Sequence, residues 1–164
     1  MPAPVHDAFS TAVANEINNK LQKIVGKHHN RDGEFAAQIV NVGSSRILLD
    51  TEEEESSASR GALQRHPDAQ FQHQEAAFPG VVLEVSYSQD GKDLEKLAWE
   101  YILYSNGDIK AVVGIDINYG MKPSTVSLWR PEYVQEGDER ILDVQAEIAY
   151  EVCAYVHYCY GGSD

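Results

Sequence analysis

The clearest structural pattern of this sequence lies at residues 78–104, FPGVVLEVSYSQDGKDLEKLAWEYILY. Residues 81–87 form a nearly continuous apolar run around Glu84, as expected of a β-strand that is covered on both faces. Residues 90–104 follow with apolar side chains at helical spacing, namely Leu94, Leu97, Ala98, Tyr101 and Ile102. A buried strand that leads into an amphipathic helix predicts an α/β layer, because the helix must cover one face of the sheet.

The rest of the chain supplies further elements around this unit. Residues 7–27 carry apolar side chains at three- and four-residue spacing and predict an amphipathic helix. Short apolar runs predict strands, the first two of them a hairpin, at 34–42, 46–49, 68–71, 109–117 and 125–129. This order of helices and strands predicts a mixed central β-sheet flanked by helices.

A long final helix is predicted over residues 138–158. Its apolar side chains recur at helical spacing and are Ile141, Val144, Ile148, Val152 and Tyr155. Residues 131–164 hold eight acidic side chains against Arg140 alone. We therefore expect 131–164 to be an acidic helical extension that packs on an α/β domain formed by 1–130. The apolar stripe of this C-terminal helix also suits a homodimer interface.

The chain is strongly acidic. Its 164 residues include 26 acidic and 13 basic side chains, so the formal net charge is −13. Besides the C-terminal extension, the run Glu52–Glu55 contributes, within a segment over 51–65 that predicts a flexible, solvated loop. Phosphate binding needs lysine and arginine to displace counterions, so this charge disfavours nucleic acid as a partner and predicts salt-sensitive binding. The remainder of the domain is nearly balanced in charge, and this balance is compatible with a phosphate substrate.

Membrane association is not expected. No run approaches the ~18 uninterrupted apolar residues that a membrane span needs. The first residues, MPAPVHDAFSTAV, lack a basic region followed by a long apolar one. Cys153 and Cys159 form neither a disulfide framework nor a CxxC metal pair. We therefore expect a soluble intracellular protein, cytoplasmic or nuclear, with no membrane partner.

Two carboxylates are expected to meet on neighbouring strands. Glu84 lies inside the apolar strand, where a buried charge is costly unless something compensates it. Antiparallel pairing across the intervening turn brings Asp68 near Glu84, and a cation between them relieves their repulsion. Mg²⁺, or Mn²⁺ in its place, is a hard cation that takes such oxygen ligands. Two alternatives remain: Asp68 as a turn residue after proline, and Glu84 as a strand-end residue or the partner of a lysine.

These residues resemble the PD-(D/E)XK, or restriction-endonuclease-like, superfamily. The resemblance rests on Pro67-Asp68 and on Glu84-x-Ser86 in an apolar strand followed by a helix. The stretch 78–102 is similar to the corresponding part of small fungal endonuclease-like families, and the likeness covers roughly residues 8–130. It implies a core of helix, three strands, helix and strand, and a divalent-metal-dependent nuclease that hydrolyses phosphodiester bonds.

The resemblance implies a set of site residues, which are the positions of this chain that match the superfamily motif. Asp68 and Glu84 would be metal ligands, together with the carbonyl of Val85. Glu16 on the first helix matches an acid that some members add to the metal site. The lysine that orients the attacking water is expected two residues after the glutamate, and Ser86 stands there instead.

The missing lysine has candidate replacements on the helix that follows Glu84. Lys92 and Lys96 lie one turn apart, and their long stems can reach back toward the carboxylates. Gln89, near the helix start, is a third candidate to position the water or a phosphate. The alternative is that both lysines are surface residues paired with neighbouring acids.

Two functions follow as hypotheses. The first is a divalent-metal-dependent endonuclease with a degenerate PD-(D/E)XK site. The second is a catalytically inactive nuclease-fold module that binds protein or nucleic acid, or assembles as a homodimer through the C-terminal helix. Three features favour the second hypothesis: Ser86 at the lysine position, the lack of a basic face, and the apolar, tyrosine-rich last helix.

Overall fold

The structure is a computed structural model that describes residues 3–27, 31–51, 62–87, 93–118 and 123–153. Within these ranges the helices are α1 (Ala3–Lys27), α2 (Arg31–Ala37) and α3 (Leu94–Tyr104). The strands are β1 (Ile39–Asn41), β2 (Ile47–Asp50), β3 (Ala62–Arg65), β4 (Ala69–His73), β5 (Val81–Tyr87), β6 (Ala111–Ile117), β7 (Thr125–Glu136) and β8 (Glu139–Val152).

Six of these strands form a mixed central sheet in the order β1-β4-β5-β6-β7-β8. β5 and β6 are parallel, and α3 provides the crossover that a parallel connection requires. The other neighbours in this sheet are antiparallel, and β2 and β3 form a separate two-stranded sheet. The predicted mixed α/β architecture is thus confirmed.

Strand β5 lies at the centre of the molecule and is covered on both faces. Leu83 and Val85 pack on one face in a cluster that includes Ala14 of α1. Val82 packs on the other face in a cluster with α3. This double coverage explains the almost unbroken apolar run in β5, and it places Glu84, two residues after Val82, on the α3 face.

The first helix is confirmed and begins earlier than the predicted Asp7. Its apolar stripe, formed by Phe9, Val13, Ile17 and Leu21, packs on the sheet. Within the described ranges, no helix is both long enough and apolar enough to cross a membrane.

The C-terminal helix predicted over 138–158 is wrong for the residues that the structure describes. Residues Glu139–Val152 form strand β8, which pairs with β7 as the last strand of the sheet. Gly137 and Asp138 make a two-residue turn, with Glu136 opposite Glu139 and Gly137 at a φ of +62°. Such a turn joins two antiparallel strands, so the pairing with β7 overrides the helical spacing of the apolar side chains. Residues 131–153 therefore belong to the central sheet, and 154–164 lie outside the described residues.

Two predictions for the N-terminal half also need correction. The segments 34–42 and 46–49 do not form a hairpin, because β1 pairs with β4 and β2 pairs with β3. The loop predicted over 51–65 contains strand β3 at its end, since Leu63 pairs with Leu49 and packs on the core. Residues 52–61 of that loop lie outside the described residues.

A pair of glycine substitutions tests the β7–β8 turn. Gly137→Ala places a side chain at a positive φ and is expected to lower the free energy of unfolding by about 1 kcal/mol. Gly26→Ala is the control, because Gly26 is an exposed residue of α1 with open space at its Cβ position. That change is expected to be stabilising, by up to about 1 kcal/mol. Urea unfolding measures both, and a neutral or stabilising Gly137→Ala would contradict the turn.

Candidate active site

The antiparallel pairing of β4 with β5 brings Asp68 to the middle of β5. Ala69 pairs with Leu83, and the amide N–H of Asp68 donates to the carbonyl of Leu83 at 3.1 Å. The carboxylate of Asp68 accepts a hydrogen bond from the amide N–H of Val85, with Oδ2 at 2.6 Å from the nitrogen. Asp68 is therefore held beside Glu84 and Val85, the two residues with which the sequence associates it.

Glu84 is a buried carboxylate held by a tyrosine. Its side chain is only 3% exposed, and its Oε1 accepts a hydrogen bond of 2.6 Å from the hydroxyl of Tyr101. Tyr101 lies on α3 and is fully buried, so its hydroxyl needs a partner inside the protein. A hydrogen bond to an ionised carboxylate contributes roughly 1.5–3 kcal/mol, which offsets part of the cost of burying Glu84.

Burial and the two carboxylates act together on the phenol of Tyr101. Burial is the largest cause that raises its pKa far above the ordinary value of 10.0, followed by the charge of Glu84 and the hydrogen bond to it. The charge of Asp68 raises the pKa further, while the charge of Arg65 lowers it. The phenol thus lies within electrostatic reach of both carboxylates and of one arginine.

His6 of α1 contacts Asp68 and Val85 from the face of β5 that packs on α1. Its Nε2 lies 3.4 Å from Oδ1 of Asp68 and 3.2 Å from the carbonyl oxygen of Val85. Both oxygens are acceptors, so Nε2 carries a proton in this arrangement. The imidazole ring also packs at a tilt against Tyr87, with the centroids 5.6 Å apart. No motif in the sequence singles out His6, since it lies 79 residues from Val85.

Arg65 is the second residue that the sequence did not indicate. Its Nε donates to Oε2 of Glu100 at 2.8 Å, and both side chains are largely buried. Arg65 is the last residue of the segment 51–65, for which the sequence predicts a flexible, solvated loop. Strand β3 instead carries Arg65 to α3, where it is the cation that acts on Tyr101.

The structure describes Ser86, at the position of the missing lysine, and one of its candidate replacements, Lys96. Ser86 is buried on the same face as Glu84, opposite Asp116 of β6. Lys96 is exposed in the first turn of α3, and its amide N–H donates to Asp93, which caps the helix. Lys92 and Gln89 lie outside the described residues.

Glu16 does not join the carboxylates in this structure. Its side chain is 60% exposed and lies 3.7 Å from Nζ of Lys20, one turn further along α1. Its described contacts are those of a surface helix residue.

The parallel strands carry a polar group of side chains on the α3 face, from the centre of β5 toward the carboxyl ends of β5 and β6. Glu84, Ser86 and Asp116 share this face, and α/β sheets commonly hold ligands where parallel strands end. Oδ2 of Asp116 accepts from the side-chain amide of Asn118 at 3.2 Å. Its Oδ1 is excluded from solvent and has no hydrogen-bond partner among the described residues.

The donor set fits a hard cation in its chemistry. Carboxylate and carbonyl oxygens of Asp68, Glu84 and Val85 are the ligands that Mg²⁺ and Mn²⁺ prefer. Within the described ranges, no three His, Cys, Asp or Glu side chains lie close enough together to hold a metal by themselves. A cation here would therefore use few protein ligands and keep several waters, which is usual for Mg²⁺.

The acidic side chains of β7 and β8 lie mostly at exposed positions of the hairpin that these strands form. Glu132 pairs with Asp143 and Glu136 with Glu139, so like charges oppose one another on exposed strands. Arg130 offsets one further acid through an ion pair of 2.8 Å with Glu147. The negative charge of the C-terminal region is thus concentrated on this hairpin.

The raised pKa of Tyr101 predicts how stability depends on pH. Above the ordinary pKa of 10.0, the unfolded chain releases this proton and the folded chain keeps it, so stability falls as pH rises. The contribution is about 1.4 kcal/mol per pH unit. Tyr101→Phe is expected to lower stability by roughly 2 kcal/mol near neutral pH and to remove this slope. Tyr104→Phe, which changes a 40% exposed tyrosine of the same helix, is expected to keep it.

Urea unfolding between about pH 9 and about pH 11 measures this difference. Equal slopes for the wild type and Tyr101→Phe would contradict the burial of the phenol against Glu84.

Comparison with protein-family models, with curated proteins and with solved structures found no match for this chain.

Proposed function

We propose that this chain is a divalent-metal-dependent nuclease that hydrolyses phosphodiester bonds with a degenerate PD-(D/E)XK site. The observation that supports it is the hydrogen bond from the amide of Val85 to the carboxylate of Asp68. That bond holds an aspartate from one strand against the residue that follows a buried glutamate on the next, as the superfamily resemblance requires.

In this proposal, Asp68, Glu84 and the carbonyl of Val85 would hold Mg²⁺ or Mn²⁺. The bound cation would polarise a phosphate oxygen and lower the pKa of a water. The chain's own residues keep the ligands in place: Tyr101 orients Glu84 through its hydroxyl, and the amide of Val85 orients Asp68. Glu16 would join the ligands only if its exposed side chain left Lys20.

The superfamily pattern supplies positive charge near the phosphate through a lysine, and this chain differs at that position. Ser86 replaces the lysine of the superfamily pattern, and we propose that Lys92, Lys96 or Gln89 acts in its place. Acidic side chains on the β7–β8 hairpin repel nucleic acid, so we expect binding that weakens steeply with salt. We expect the activity inside the cell, in the cytoplasm or the nucleus, where nucleic acid is available.

A second candidate is a catalytically inactive module of the same fold that binds protein or nucleic acid. Two observations favour it: Lys96 is exposed on α3, and Ser86 is buried at the lysine position. The contact of His6 with both Asp68 and Val85 also gives the aspartate a partner that needs no metal. A homodimer is part of this candidate, but the predicted helical interface is absent from 139–152.

Cleavage of plasmid and oligonucleotide substrates at low salt with Mg²⁺ or Mn²⁺ tests the first candidate. Asp68→Asn and Glu84→Gln are each expected to lower the cleavage rate by roughly 100-fold or more, because each removes a charged ligand. Glu84→Gln keeps an acceptor for the hydroxyl of Tyr101, so this variant is expected to fold. Glu132→Gln, at an exposed acid of β7, is the control and should cleave at least as fast as the wild type, because it removes one of the acids that repel nucleic acid.

The same assay identifies which lysine acts and distinguishes the nuclease from the binding module. Lys92→Ala or Lys96→Ala should lower the cleavage rate if that lysine replaces the missing one, and Lys110→Ala serves as the matched control. Absence of cleavage by the wild type, or equal cleavage by the wild type, Asp68→Asn and Glu84→Gln, would refute the nuclease and leave the binding module.

A further inference from the structure

A cavity lies on the opposite face of β5 from Glu84. Its volume is about 560 Å³, within the range of sites that bind small molecules. Its lining includes Val81, the first residue of β5, and Ile17 and Leu21 of α1. The carboxylate of Glu84 faces α3 instead, so the two sites are separate.

Four aromatic rings form part of the wall of this cavity. Three of the chain's four phenylalanines, Phe35, Phe71 and Phe78, line it together with His73. Phe71 is buried, but Phe35 is 56% exposed and stacks on the ring of His73, with the centroids 5.0 Å apart. The faces of such rings attract organic cations, and clusters of them recognise ammonium groups.

The charges at the rim also favour a cation. Asp108 and Lys110 lie 3.6 Å apart and offset each other, and Lys110 also donates to the carbonyl of Gly107. Glu75 is the remaining charged residue of the lining, and it is exposed. The rim therefore carries a net charge of about −1 beside an aromatic wall, which complements a cation and repels an anion.

We propose that this cavity binds a small organic ammonium compound with an apolar body. The apolar body would lie against α1 and β5, and the ammonium group would contact the ring of Phe35 beside the carboxylate of Glu75. The proposal does not depend on nuclease activity, because none of these residues belongs to the carboxylate site.

Three probes with the same ring system test the charge preference: 2-naphthylmethyltrimethylammonium, 2-naphthylmethanol and 2-naphthoate. The full chain is titrated with each probe at low salt. Calorimetry and amide NMR shifts monitor the titration and give the Kd of each probe. The ammonium probe is expected to bind at least about 10-fold more tightly than the carboxylate probe, with the alcohol between them. Shifts should map to 71–81 and to the C-terminal half of α1.

Two variants locate the binding. Phe35→Leu keeps an apolar side chain but removes the ring, and Glu75→Gln removes the charge; each should weaken ammonium binding by roughly 3-fold or more. Both residues are exposed, so folding should survive. Trp99→Leu, at an exposed aromatic residue of α3, is the control and should bind as the wild type does. Equal affinity for the three probes, no saturable binding, or unchanged ammonium affinity in both variants would overturn the proposal.

Discussion

A carboxylate inside a strand that is covered on both faces must be held by a hydrogen-bond donor, and Tyr101 supplies that donor to Glu84. This bond joins α3 to the centre of β5, within the apolar cluster that packs the crossover helix on the sheet. On the same strand, the amide of Val85 holds Asp68, so both carboxylates are fixed by the chain itself. The arrangement of the site depends on these two hydrogen bonds.

The central unit was predictable from the sequence because its local signals agree with the tertiary structure. The apolar run of β5, the stripe of α3 and the stripe of α1 each reflect a face that is buried. The closeness of Asp68 to β5 followed from a single assumption, antiparallel pairing of two strands joined by a short connection. Glu84 accepts a hydrogen bond from the hydroxyl of Tyr101, and Lys92, one of the two lysines considered as its partner, lies outside the described residues.

The remaining features depend on long-range contacts that leave little trace in the sequence. In β8, the spacing of Ile141, Val144 and Ile148 is equally compatible with a helix, and only pairing with β7 decides for a strand. The Gly137-Asp138 dipeptide between two β-rich runs was the signal that could have revealed it. His6 and Arg65 reach the site from α1 and from β3, and neither lies in a pattern that indicates a role.

We propose that Asp68, Glu84 and Val85 form one site for a divalent cation. Paramagnetic broadening of the amide NMR spectrum during titration with Mn²⁺ tests it directly and needs no enzymatic activity. We expect the amide signals of Asp68, Glu84 and Val85 to broaden at lower Mn²⁺ concentrations than those of the acidic residues of the β7–β8 hairpin. Broadening that begins at the hairpin, or that spares Val85 throughout, would contradict it.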